Sequence, residues 1–297
     1  MSIDTNIYNF TQYGNDTAGL VQFVQTADEL GFHNVRFLDH VVGIVAEKHG
    51  GIAQTPYTNK SHIHEIFTLI AYLTALTQRI QFVTGVLVPT QRETCLVAKQ
   101  AAEIDLLSGG RLRLGMGVGY NEIEFEALGA DFGTRGKRLE EQIAVMRAFW
   151  TQEEVNFKGR WHNIRDASLA PLPLQRPIPV WLGMGRMYAP VPSDAVLDRV
   201  GRIADGWLPM IQPGPEAREC IRKVHDAARA AGRDPSKIGM DVSLVVGEKT
   251  RQELIDEIKA FRELGATYIN AYFPPSSAKG EIEAMKRFRH EVMDAVA

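Results

Sequence analysis

The stretch IQFVTGVLVPTQRETCLVAKQAAEIDLLSGGRLRLGMGV, residues 80–118, contains one complete strand–helix–strand unit. Its β-branched run at 80–88 predicts a strand, and the alternating run at 111–118 predicts another. Between them, residues 94–107 have apolar side chains at helical spacing, and Ser-Gly-Gly at 108–110 ends that helix. Such a unit is typical of a parallel sheet, in which the crossover between strands is right-handed.

The same alternation continues in both directions along the chain. The sequence predicts further strands at 3–10, 34–38, 180–182, 206–210, 240–247 and 267–273, and further helices at 20–30, 65–77, 137–150, 193–204, 216–231, 251–264 and 281–295. Eight strand–helix pairs suit a closed (β/α)8 TIM barrel better than an open doubly wound sheet. We expect one domain over residues 1–297, with insertions at about 40–62 and 151–177, the second of which contains a hairpin at 155–163.

The composition excludes several classes of protein. The chain has 297 residues, of which 45% are hydrophobic and 23% charged, as is ordinary for a globular protein. A net charge of −3 argues against a broad basic surface for nucleic acid. No apolar run reaches about 18 residues, and the N-terminus MSIDTNIYNF lacks the features of a signal peptide, so we expect no membrane partner and a cytoplasmic location. Cys95 and Cys220 are predicted to be reduced thiols.

Two polar residues follow the second predicted strand directly, where a barrel places its active site. Asp39 supplies a carboxylate, and the imidazole of His40 can take or give a proton near neutral pH. The alternative interpretation is structural, with the carboxylate capping a loop and the histidine in a hydrogen bond that only supports the fold.

Glycines mark three further strand ends. In LGMGVGYNE, residues 114–122, they alternate, which lets a flat ligand approach the backbone, although the spacing differs from that of the dinucleotide-binding fingerprint. A glycine at the end of the third strand, at Gly85-Val86, allows a bulge beside a ligand. WLGMGR, residues 181–186, leads to Ser193, an N-cap at a helix start that suits a phosphate. Tight packing, a kink and an ordinary turn are the respective structural alternatives.

Metal binding is not predicted. His49, His62 and His64 lie in or beside the first long loop with Tyr57, but without the spacing and the carboxylate or thiolate support of a metal site. Solvated loop residues or substrate contacts are the better interpretations. The sequence contains no G-x-S-x-G, Walker or H-E-x-x-H motif.

Three runs together resemble the luciferase-like monooxygenase family. They are LGFHNVRFLDHVVG at 30–43, the stretch at 77–141 that includes LGMGVGYNEIEFEALGADFGTRGKRLEE, and RIADGWLP at 202–209. The resemblance covers nearly the whole chain and is most specific over residues 80–141. It implies a bacterial luciferase-like (β/α)8 barrel with insertions, in an enzyme that acts on a small molecule as a homodimer.

The family divides by cofactor. One branch uses reduced FMN and oxygen, and the other uses the deazaflavin coenzyme F420 and transfers a hydride without oxygen. The loop from Asp39 to Tyr57 and the run around Gly85 resemble the deazaflavin branch more closely. The resemblance therefore implies an F420-dependent oxidoreductase. A flavin-dependent monooxygenase that uses FMN is the alternative, and a non-catalytic cofactor-binding protein is a third possibility.

The resemblance also implies roles for individual residues. Asp39 and His40 correspond to a pair at the reactive edge of the cofactor ring, where the histidine serves as acid and base. The third-strand bulge, where many members hold a non-prolyl cis peptide against the ring, corresponds to Gly85 and Val86. Further cofactor contacts correspond to Gly117, Val118 and Gly119 beside the ring, and to Gly183, Met184, Gly185 and Ser193 on the phosphate side.

The chain departs from the family pattern at two places. The segment Met187–Pro192 looks inserted between the glycines and the helix start, in the region expected to hold phosphate. Deazaflavin-dependent glucose-6-phosphate dehydrogenases carry a Trp shortly after the Asp-His pair, where this chain has Val42, Gly43 and Ile44. A sugar-phosphate substrate is therefore not implied.

Overall fold

The computed structural model describes residues 1–7, 14–49, 57–185, 189–273 and 277–296. The strands are β1 (Ser2–Ile7), β2 (Asn34–Phe37), β3 (Gln81–Thr84), β4 (Leu112–Met116), β5 (Val155–Lys158), β6 (Asn163–Ala167), β7 (Val180–Met184), β8 (Gly206–Pro209), β9 (Gly239–Val245) and β10 (Tyr268–Tyr272). The helices are α1 (Thr17–Leu30), α2 (Ile66–Thr74), α3 (Thr94–Ser108), α4 (Glu122–Ala127), α5 (Arg135–Thr151), α6 (Asp194–Ile203), α7 (Pro215–Ala230), α8 (Arg251–Glu263) and α9 (Ala278–Phe288), after which come a π-helical segment (Arg289–Met293) and a final turn, α10 (Asp294–Val296).

Eight of the strands are parallel and close into a barrel in the order β1-β10-β9-β8-β7-β4-β3-β2. This confirms the predicted (β/α)8 TIM barrel. Strands β5 and β6 form a separate antiparallel pair in the predicted second insertion. The hairpin turns after Lys158, as predicted, but its second strand extends to Ala167 rather than ending at Asn163.

Two glycines end helices at the positions that the sequence predicted. Gly31 follows α1 with φ of 81°, and Gly109 follows α3 with φ of 70°. Each donates its backbone N–H to carbonyls of the last helical turn. Because this left-handed conformation is unfavourable for residues with a Cβ, glycine is the natural helix stop here.

The third strand is shorter than predicted. Strand β3 ends at Thr84 rather than Val88. The peptide bond between Gly85 and Val86 is cis. Leu87 forms one isolated bridge with Met116. A short 3-10 helix at Pro89–Gln91 then leads into α3.

Other boundaries also differ from the predictions. Helix α2 begins at Ile66 because the side chain of Glu65 caps it, accepting a hydrogen bond from the backbone N–H of Thr68. Helix α4 was not predicted at all. The residues at 8–10 of the predicted first strand lie outside the described residues.

The interior of the barrel contains buried charges beside an apolar cluster of Val83, Trp181 and Leu208. Arg36 of β2 and Arg113 of β4 both reach the buried carboxylate of Asp241 on β9, at 2.6 and 2.8 Å. The Arg113 guanidinium lies 4.3 Å from the ring centre of Trp181 and 4.2 Å from that of Tyr268. Charges taken from water must be paired, and these three strands supply each other's partners across the barrel.

The hairpin is tied to the barrel by a histidine. Nδ1 of His162 lies 2.8 Å from Oε1 of Glu141 on α5, and Nε2 lies 2.6 Å from Oγ1 of Thr94, the first residue of α3. Gln142 donates to the same Thr94 oxygen. The insertion therefore contacts the start of α3.

Both cysteines are unpaired, with Cys95 exposed on α3 and Cys220 buried in α7. Burial raises the pKa of both thiols. Over the described residues, no helix has the length and apolar composition that crossing a membrane requires.

Candidate active site at the carboxyl end of the barrel

Asp39 lies at the carboxyl end of β2 and is buried. One carboxylate oxygen accepts the backbone N–H of Val88 at 3.1 Å, and the other accepts from Nη2 of Arg92 at 2.6 Å. Burial raises the pKa of the Asp39 carboxyl, against the opposing effect of the Arg92 guanidinium. Because both oxygens have partners in the fold, Asp39 fixes the segment that follows β3.

His40 lies one residue further along, and its ring is held on several sides. Nδ1 lies 3.1 Å from Oε2 of Glu124, and the ring stacks on Tyr57 with centroids 3.7 Å apart. Tyr120 approaches with its edge at 5.9 Å. Nε2 has no hydrogen-bond partner in the part of the chain that the structure describes. With Nδ1 engaged, Nε2 is the nitrogen that can exchange a proton with a bound molecule.

Glu124, on α4, is the centre of this arrangement and is buried. It accepts hydrogen bonds from the backbone N–H of Val41 at 2.6 Å and from the Tyr57 hydroxyl at 3.2 Å, as well as facing His40. Burial alone would raise the pKa of Glu124, but the interaction with His40 above all, and hydrogen bonds from Gln91 and the Val41 N–H, hold it below its ordinary value. The carboxylate is therefore ionised at neutral pH and favours the His40 tautomer with a proton on Nδ1.

Tyr57 is buried and connects the loop after β2 to α4. Its hydroxyl accepts from Nδ2 of Asn121 at 2.5 Å and donates to Glu124. Burial raises the pKa of the Tyr57 phenol, so the hydroxyl stays protonated and can continue to donate. By contrast, His49 and His62 are exposed. Within the described ranges, no three His, Cys, Asp or Glu side chains are grouped so that they could hold a metal ion.

The predicted glycine positions of three strands meet around Val86. A Cβ built at Gly117 would lie 2.6 Å from Cγ2 of Val86, and one built at Gly183 would lie 2.3 Å from Cγ1. Val86 thus occupies the space that side chains at these two positions would need. Gly85 and Val86 themselves stay partly exposed, so their backbone forms part of the floor of the barrel mouth.

The fourth-strand end continues this floor. The backbone carbonyl of Val118 accepts from the Thr90 hydroxyl at 3.2 Å. Gly119 has a φ of 75°, and a Cβ there would lie 2.8 Å from atoms of both Val88 and Phe125. Position 119 therefore requires glycine, because the backbone adopts a positive φ there and because neighbouring atoms leave no room for a Cβ.

The predicted phosphate-side residues lie at the end of β7 and just before α6. Gly183 and Met184 end β7, and Gly185 has a φ of 83°, where a Cβ would lie 2.6 Å from the carbonyl oxygen of Pro190. Ser193 is the N-cap of α6, and its side chain makes no capping bond to the helix. Of the segment Met187–Pro192, which looks inserted, residues 187–188 lie outside the described part of the chain.

Comparison with known proteins identifies the family. A sequence profile of luciferase-like monooxygenases matches residues 4–294. The chain belongs to this family.

Relatives of this luciferase-like protein use two different cofactors. The chain is 32% identical over 225 residues to an F420-dependent glucose-6-phosphate dehydrogenase of Amycolatopsis mediterranei, covering 71% of this chain and 62% of that one. It is 29% identical over 239 residues to an FMNH2-dependent dimethylsulfone monooxygenase of Pseudomonas putida, covering 79% and 59%. Among solved structures, an F420-dependent secondary alcohol dehydrogenase superposes with a TM-score of 0.79 at 17% identity, covering 100% and 99% of the two chains, which supports the fold.

The residue that sequence reasoning missed in this luciferase-like site is Glu124. A signal for it was present, because Asn121 followed three residues later by Glu124 is a typical helix start. The structure shows that start, with the backbone N–H of Glu124 donating to the Asn121 side chain at 3.4 Å.

Proposed function

We propose that this protein is an F420-dependent oxidoreductase that exchanges a hydride between the deazaflavin and a small organic substrate. The observation that carries the proposal is the His40–Glu124 pair at the carboxyl end of the barrel. Exchange of a hydride with a carbon that bears a hydroxyl also moves a proton, and an anchored imidazole with Nε2 available provides that transfer.

In this reaction the cofactor and the residues of the site would have separate roles. The cofactor, when bound, supplies the hydride chemistry. His40 accepts the proton of a substrate hydroxyl at Nε2, or returns it in the opposite direction. The Glu124 carboxylate stabilises the protonated imidazole, and the stacked Tyr57 ring keeps it in one plane.

The floor of the barrel mouth fits a planar ring. Gly85 and Gly119 present backbone rather than side chains, and Val86, whose methyl groups lie over the buried Gly117, presents a small apolar one. A flat, partly exposed surface of this kind lets a ring system lie directly on the chain. Val118 completes this surface, and Asp39 acts through the hydrogen bonds that fix the segment after β3.

In this proposal the phosphate end of the cofactor binds at the start of α6. The Ser193 hydroxyl, which makes no capping bond, supports this, as do Gly183 and Met184 at the end of β7 and Gly185 after it. Backbone N–H groups at a helix start attract anions.

A flavin-dependent monooxygenase is the second candidate, and the Pseudomonas putida relative supports it. A titration of the purified protein with deazaflavin and with FMN, followed by absorbance and fluorescence, separates the two. We expect the deazaflavin to bind more tightly and to be reduced by a substrate without oxygen uptake. FMN binding at least as tightly, with oxygen consumed by the reduced form, would favour the monooxygenase. Cofactor binding without turnover of any substrate would leave a non-catalytic protein.

A further inference from the structure

We propose that Arg36 is a positioning residue that fixes the Gly85–Val86 peptide at the mouth of the barrel, and through it the cofactor. The inference rests on the proposed function, because it requires a cofactor that contacts this peptide. Arg36 lies inside the barrel on β2, below the exposed floor, and belongs to none of the segments assigned to the cofactor above.

The aliphatic part of Arg36 fills the space beside Gly85. A Cβ built at Gly85 would lie 2.2 Å from both Cγ and Cδ of Arg36, closer than such atoms can approach. The strand register explains the contact, since Arg36 pairs with Val83, two residues before Gly85. Alternate residues of a strand share a face, so Gly85 faces the same interior as the arginine. The arginine stem therefore supports the peptide from below.

The far end of Arg36 is anchored across the barrel. Its Nη2 lies 2.6 Å from Oδ1 of Asp241, which is fully buried on β9. Two strands, β1 and β10, separate β2 from β9 on the short way around the barrel. Arg113 lies 2.8 Å from the other oxygen of Asp241, so the Arg36 pair does not depend on sharing an oxygen with it. A buried ion pair of this kind keeps the stem extended, since withdrawing it would leave an unpaired charge.

The opposite side of the peptide is held by close packing rather than by charge. The two methyl groups of Val86 lie against Gly117 and Gly183, on β4 and on β7. Residues of three strands, β2, β4 and β7, therefore contact the Gly85–Val86 segment. Changing the volume of the Arg36 stem changes one of these contacts and leaves the other two in place.

A double-mutant cycle between Arg36 and Gly85 tests the contact. Arg36→Ala removes the stem, and Gly85→Ala pushes against it. We expect each single variant to raise the cofactor dissociation constant about tenfold and to change the visible circular dichroism of the bound cofactor. The double variant should recover most of the affinity, because the added methyl group enters the space that the stem has left.

Arg113→Ala is the matched control, because it removes the other partner of Asp241 without touching Gly85. It should lower the melting temperature about as much as Arg36→Ala and leave the cofactor spectrum unchanged. Equal losses of affinity in the two arginine variants, or no recovery in the double variant, would overturn the role of Arg36. If Arg36→Ala does not fold, Gly85→Ala alone carries the test, and an unchanged dissociation constant and cofactor spectrum in that variant would overturn the role of Arg36. A wild-type protein that binds neither deazaflavin nor FMN would instead overturn the proposed function itself, and the role of Arg36 with it.

Discussion

His40 and Glu124 form a hydrogen-bonded pair across 84 positions of the chain, with Nδ1 of the imidazole 3.1 Å from Oε2 of the carboxylate. The pair joins the end of β2 to α4. It places a single defined tautomer at the carboxyl end of the barrel, so the chemistry expected of His40 depends on a residue from another strand–helix unit.

Removing the proton-transferring group should affect turnover more than cofactor binding. His40→Asn keeps a hydrogen-bonding side chain of similar size. We expect turnover to fall about 10²–10⁴-fold, the usual contribution of general acid–base catalysis, with cofactor affinity nearly intact. Steady-state kinetics together with a cofactor titration provide the measurement. A variant that turns over normally but binds the cofactor weakly would show that His40 only orients the ring.

Replacing the orienting carboxylate should also lower turnover. In Glu124→Gln the amide no longer fixes a proton on Nδ1, and loss of such an orienting charge can cost up to about 10⁴-fold. Steady-state kinetics, with cofactor affinity as the second measurement, test this. Glu122→Gln, an exposed change on the same helix, is the control. Turnover equal to that of the wild type would contradict the assignment.

The same carboxylate makes folding stability depend on pH. The pKa of Glu124 lies below its ordinary value of 4.5 in the folded protein, so its contribution to stability is present above that pH. The contribution is lost as the pH falls through the folded pKa. The difference in unfolding free energy between wild type and Glu124→Gln, measured with denaturant, should therefore be larger at neutral pH than in acid. A difference that does not change with pH would exclude this linkage.

The contact between Gly183 and Val86 predicts that a second substitution can restore stability lost through the first. Gly183→Ala should destabilise the protein by about 1–3 kcal/mol through overpacking against Val86. Val86→Ala in the same chain should restore much of that loss, as denaturant unfolding would show. Gly214→Ala is a suitable control, because the backbone there is extended and nothing lies within 4 Å of the added methyl group. Failure of the second change to restore stability would mean that the clash lies elsewhere.

Asp39 should matter for stability more than a surface ion pair does. Asp39→Ala leaves the N–H of Val88 without its acceptor and removes the buried partner of Arg92, at a cost of about 1–3 kcal/mol. Asp198→Ala, which breaks an exposed pair with Arg202, should cost about 0–1 kcal/mol. Thermal unfolding compares the two. Equal costs would mean that burial does not strengthen the Asp39 contacts.

The fold was predictable because its signals are local. Short stretches of sequence are enough to predict the helix end at Gly109 and the strand before Gly85. The alternation of such stretches along the chain then predicts a barrel. Contacts between units were not predictable in this way. Nothing near Val86 indicates that Gly183 will lie against it, and nothing near His40 indicates Glu124. Both contacts exist only after the barrel closes. The short helix that carries Glu124 was missed because six residues give little periodicity.

The charges inside the barrel also constrain the order of assembly. Arg36 and Arg113 are made in the first half of the chain, but the carboxylate that pairs them, Asp241, is made in the last fifth. Until β9 is added, a partial barrel would hold two guanidinium groups with only the Asp4 carboxyl of β1, 3.8 Å from Arg113, to face them, which is costly in a low-dielectric interior. During synthesis we therefore expect the early strands to remain unpaired into a barrel and exposed to water. The barrel closes in one cooperative step only after β9 has left the ribosome.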